Sequence, residues 1–188
     1  MNKKSVITVI VGTIVAFVWT NISWMGLGWH MNDFKTFKSD IAVMDVIREQ
    51  AQGSGLYTLP NMDPTIHKTE GGTEKWSAMA RKGPFAFIST KVDGIPPGIT
   101  KLMVIGFFIN MLVAAILYGL LCQTKLEKDK QKVLFLAVAA VAGSLIPYLV
   151  NWYWWQFPFS AMAINVVDTF ITWGIAGTAM VQISKRIK

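Results

Sequence analysis

The chain has 188 residues, 53% hydrophobic and only 15% charged, with a mean hydropathy of +0.42 and a formal charge of +7. Soluble domains carry about 25% charged residues, so this composition argues against an ordinary soluble enzyme, and the 12% aromatic content excludes a disordered chain. A single cysteine, Cys122, excludes a disulfide framework and any Cys-rich metal centre.

Four apolar stretches, at residues 5–22, 102–122, 133–150 and 160–183, approach or exceed the length a helix needs to cross a bilayer core, about 18 to 20 residues. Hydrocarbon leaves no backbone group room to go unpaired, so helices are expected. Met1-Asn2-Lys3-Lys4 ahead of the first run resembles a secretory signal. Bulky Trp24 and Trp29 follow it without a small-x-small cleavage site, so residues 1–22 read as an uncleaved signal anchor.

Lys3, Lys4, Lys125, Lys128, Lys130, Lys132, Lys185, Arg186 and Lys188 flank these spans on one side, opposed there only by Glu127 and Asp129. Residues 23–101 are nearly balanced, with nine basic and eight acidic side chains. The positive-inside rule then sets both termini and the basic loop 123–132 in the cytoplasm, with 23–101 and 151–159 outside. The basic surplus is a topogenic signal that also attracts anionic lipid head groups, and it gives no reason to invoke nucleic acid.

In the inserted segment, Ser39 or Asp40 can cap a helix whose Ile41, Met44, Ile47 and Ala51 recur at helical spacing before Gly53. Residues 56–59 and 84–89 read as short strands, and 61–75 as a polar, turn-rich loop. Pro96 and Pro97 stiffen the return to the second span. A small α+β cap is expected, docked on the bundle because no disulfide holds it. The cytoplasmic face, two tails and a ten-residue loop, is too small for an ATPase or kinase domain, and no nucleotide, zinc-protease, serine-hydrolase or dithiol motif occurs.

Asp168 is the most informative residue. It lies about eight residues, or about 12 Å, into the fourth span, where a carboxylate costs about 2.5 to 3.5 kcal/mol and usually faces a bundle interior or wet cavity. Asn165, Thr169 and Thr172 share its helical face. Asn110 in the second span and Ser144 and Tyr148 in the third fall at similar depth. These groups either hydrogen-bond one another and hold the helices in register, or form a ligand or proton site at Asp168, Asn165, Asn110 and Tyr148 with His30 at its mouth.

Met25, His30 and Met31 cluster beyond the first span, and thioether and imidazole ligands suit Cu(I). Met44, Met62 and Met79 could add to them, although methionine more often fills space. A bis-histidine haem would need His30 to meet His67. No cofactor is expected, copper and a quinone being the ones these residues would allow.

Trp152, Trp154, Trp155 and Phe157, with Trp24 and Trp29, make a dense aromatic belt suited to the head-group level. It would anchor the protein or bind lipid or a partner. Pro158 and Ser160 fit the start of the fourth helix. Gly143, Gly174 and Gly177 permit close helix approach between the third and fourth spans.

The strings ISWMGLGWH (22–30), GLYTLP (55–60), KGPFAF (82–87) and NWYWWQFP (151–158) resemble small four-span bacterial inner-membrane proteins, which often have Pro where this chain has Gly28 and Gly where it has Gln156. The resemblance implies topology and bacterial origin and brings no reaction with it. The expected fold is an α-helical integral membrane protein, a four-helix bundle with an α+β insertion between helices one and two. The leading expectation is a non-catalytic accessory or scaffold protein that binds lipid, another membrane protein or itself through belt and cap. The alternatives are the Asp168 site, for transport or membrane enzymology, and copper handling.

Overall fold

A computed structural model describes residues 2–61, 63–95 and 98–187; Met62, Pro96 and Pro97 lie outside these, as does the side chain of His67. The chain is mostly helical. Four helices among the described residues are long and apolar enough to cross a membrane: α1 (Lys3–Asn21, continuing into a π turn, Ile22–Gly26), α4 (Thr100–Cys122), α5 (Asp129–Tyr153) and α6 (Phe159–Arg186). Two shorter helices, α2 (Asp40–Gln50) and α3 (Gly72–Lys82), and two strands, β1 (Gly55–Leu59) and β2 (Ala86–Thr90), occupy the inserted segment.

The start of α5 and the end of α6 carry charge of the sign that favours those helix ends. Asp129 lies in the first turn of α5, and Lys185 and Arg186 in the last turn of α6. Lys185 Nζ bonds Asp129 Oδ2 at 2.6 Å, tying these two ends together. At the start of α1, Asn2 Oδ1 accepts from the Ser5 N–H at 2.9 Å.

The helices and residues up to Lys35 form one compact unit. In it α6 packs most extensively on α5 and then on α1, α1 packs on α4, and α4 meets α5 only lightly. The core runs through Val9, Ala16, Ala114, Leu117, Leu136, Ala176 and Met180. Small residues set its tightest points. A Cβ at Gly12 would lie 2.5 Å from Met180 Sδ, and one at Gly177 would lie 3.1 Å from Leu136 Cδ1. The close approach expected between the third and fourth spans therefore falls at Gly177, whereas Gly143 and Gly174 have nothing within 4 Å.

The second unit, Thr36–Pro97, is built on an antiparallel pair with Gly55 opposite Thr90 and Leu59 opposite Ala86. Ser39 caps α2, its Oγ accepting from the Ala42 N–H at 3.2 Å. β2 begins two residues later than the expected strand, past Pro84, which has no N–H for a ladder. The expected loop 61–75 is only partly a loop: Ile66–Lys68 forms a 3₁₀ turn and α3 begins at Gly72. Its N-cap is Gly71 in the left-handed region, so no capping side chain announces the helix.

Candidate functional site

The π turn after α1 shapes the site. Its extra residue per turn, closed by the Leu27 N–H on the Ile22 carbonyl at 3.0 Å, rotates Ser23 into the interior, where it is fully buried. Gly28 then takes φ +68°, open to glycine without strain, and the 3₁₀ turn Trp29–Asp33 returns the chain so that His30 is buried. The Ser160 hydroxyl donates to Asp33 Oδ1 at 2.5 Å, joining that turn to the start of α6 rather than capping the helix.

His30 and Asp168 form a buried pair, Nε2 to Oδ2 at 3.1 Å. Trp19 Nε1–H donates to the other carboxylate oxygen at 2.9 Å. Nε2 carries the proton, because a lone pair there would face the carboxylate. Asp168 thus has a donor on each oxygen, which offsets the cost of burying it. Trp24 stacks on the His30 ring at 4.0 Å between centroids, 2° from parallel, and Trp29 meets it edge-on at 5.6 Å. Trp29 Nε1–H donates to Ser23 Oγ at 2.9 Å.

Ser23, His30 and Asp168 do not constitute a nucleophilic triad. A triad base accepts from serine on one ring nitrogen and donates to the acid from the other. Here Ser23 Oγ, at 3.2 Å, and Asp168 share the same Nε2.

Beside this pair lies a cavity of about 180 Å3 to which all four long helices contribute. Asp168, Asn165, Thr169 and Thr172 line it from α6, Asn110 from α4 and Tyr148 from α5, with Thr20 and Trp24 from the α1 end. The residues do not bond one another across it: Asn110 Nδ2 donates to the Gly106 carbonyl and Asn165 Nδ2 to the Ala161 carbonyl, each within its own helix. Asp168 is bonded to Trp19 of α1 and to His30, whereas the two asparagines border an open space.

Asn110, Tyr148, Asn165 and Asp168 are thus brought to one cavity, and His30 joins them through Asp168. Of the candidate copper ligands, Met25 and Met31 are exposed, while His30 is buried and bonded to Asp168. Among the described residues no group of three or more His, Cys, Asp or Glu side chains is placed to hold a metal ion. Met62, a further candidate ligand, lies outside the described residues, as does the His67 side chain that a haem would need. Trp152, Trp154 and Phe157 are exposed, and Trp155 is half-buried. Trp24 and Trp29 each give one contact surface to His30, beyond the belt role expected of them.

Trp19 and Ser23 were not foreseen as site residues. The signal for Trp19 was its N–H within an apolar run, since a buried indole seeks an acceptor.

No protein-family model, curated protein or solved structure matches the chain.

Proposed function

We propose that this chain is a multi-pass inner-membrane protein, with both termini cytoplasmic, that binds a small polar ligand or cation at Asp168 in the outer half of the bundle. The observation that carries the proposal is the buried His30–Asp168 pair bordering a polar cavity shared by four helices. Ionisable residues within apolar spans are costly, and those retained usually line ion, proton or substrate sites. Trp19 and His30 bond Asp168, while Asn110 and Asn165 bond only within their own helices and border open space beside it.

A second reading, an accessory protein that binds lipid or a membrane partner, is favoured by the exposed rings of Trp152, Trp154 and Phe157. Native mass spectrometry of protein extracted gently from its own membrane separates the two. A retained small mass that disappears in Asp168→Asn is the result expected of the ligand site. A co-purifying polypeptide in fixed stoichiometry, with no Asp168-dependent small mass, would replace it with the accessory reading.

A further inference from the structure

The hydrogen-bond directions around the cavity specify the class of guest, given that Asp168 marks a ligand site. Asn110 Nδ2 donates to the Gly106 carbonyl at 2.9 Å and Asn165 Nδ2 to the Ala161 carbonyl at 2.6 Å. Reversing either amide would set oxygen against oxygen, so Oδ1 is left as a free acceptor in both. Thr20 and Thr169 likewise donate their hydroxyl protons to the Ala16 and Asn165 carbonyls, at 2.9 and 2.8 Å. The two threonines therefore keep only lone pairs for another partner, whereas each asparagine keeps its Oδ1 and one N–H. The Asp168 carboxylate adds further acceptor capacity and negative charge.

An acceptor-rich wall suits a guest rich in donors, and the carboxylate favours one that is positive. Size narrows the class. A bare hard cation needs oxygens at about 2.0 to 2.6 Å on all sides, whereas about 180 Å3 corresponds to about six waters at about 30 Å3 each. Trp24 and Trp173 add apolar wall to the same cavity, which accommodates an alkyl stem.

We infer that the site takes a short-chain primary ammonium ion. Its three N–H donors meet Asp168 and the lone pairs of Asn110 and Asn165, and its stem lies toward the tryptophans. This inference rests on Asp168 being a ligand site.

The test uses the full-length protein in lipid nanodiscs, with thermal unfolding followed in three probes at equal millimolar concentration. Ethanolammonium supplies charge and N–H donors, tetramethylammonium charge alone, and ethylene glycol the same small size without charge. Ethanolammonium is expected to raise Tm in the wild type, with at least tenfold weaker apparent affinity in Asp168→Asn and in Asn110→Leu. Asn110 bonds only within its own helix, so the second variant keeps the fold. An equal shift by tetramethylammonium would overturn the requirement for N–H donors. An equal, Asp168-dependent shift by ethylene glycol would overturn the requirement for charge and leave the ligand site standing. No shift with any probe, alongside a native small mass that still depends on Asp168, would overturn the ammonium assignment alone. If neither probe binding nor a retained mass depends on Asp168, the ligand-site reading fails as well.

Discussion

His30 and Asp168 are 138 positions apart in the chain, yet their side chains meet at 3.1 Å inside the helical unit. The contact joins the turn after α1 to the middle of α6 and depends on the Trp19 and Ser23 bonds around it. Asp168→Asn keeps the shape and an acceptor for Trp19, and should cost about 1–3 kcal/mol. Asp168→Leu leaves the Trp19 and His30 donors unpaired and should cost about 3–5 kcal/mol. Unfolding in mild detergent, followed by tryptophan fluorescence, gives both values, and equal losses would show that charge matters more than shape.

Ser23 should behave as an acceptor and not as a nucleophile. A fluorophosphonate reagent is expected to leave it unlabelled, because His30 presents no free lone pair to its hydroxyl. Ser23→Ala should nevertheless cost about 1–3 kcal/mol, since the Trp29 N–H loses its partner. Stoichiometric labelling detected by intact mass would overturn this account.

Gly12 and Met180 should be energetically coupled. Met180 is fully buried and cannot swing away from a Cβ at Gly12, so Gly12→Ala should lose about 1–3 kcal/mol by overpacking. Shortening Met180 to Ala should recover part of that loss, giving a double-mutant coupling above about 0.5 kcal/mol. Gly174→Ala, with open space around it, should be tolerated within about 1 kcal/mol.

Acid should loosen one turn of the second unit. Asp63 Oδ1 accepts from the Thr65 N–H at 2.8 Å, and this bond holds its carboxyl below the ordinary carboxylate range. A depressed folded pKa means the stabilisation is present above the unfolded value and is lost as pH falls through the folded one. An NMR titration should show Asp63 and the Thr65 amide shifting together, below the pH at which exposed aspartates titrate. Asp63→Asn should remove that acid transition.

Gln156 is the one described non-glycine residue with positive φ, +59°. A side chain in that region costs about 1–2 kcal/mol relative to the right-handed one. Gln156→Gly loses the bond from Nε2 to the Tyr153 carbonyl but relieves the strain, so a net gain of up to about 1 kcal/mol is expected on chemical unfolding.

Much of this architecture was legible locally. Uninterrupted apolar runs identify the long helices because length and hydropathy are properties of the run itself, and Ser39 announces α2 by its own capping bond. Asp168, Asn165, Asn110 and Tyr148 stood out because a polar group in an apolar run is costly wherever the helix turns it. α3 was missed because its cap is a backbone conformation at Gly71. Trp19 and Ser23 were missed because their roles depend on rotation about α1 and on the π turn that follows it.

The sequence by itself determined which segments become long apolar helices and which polar groups they must shelter, since both follow from the transfer cost of individual residues. Only the tertiary structure decided that His30 reaches Asp168, that Ser23 and Asp168 share one ring nitrogen, and that each asparagine turns one amide proton onto its own helix. Those outcomes depend on helix rotation, on the left-handed turn at Gly28 and on the seating of Met180 against Gly12. They arise where side chains distant in sequence compete for the same space, which no local pattern records.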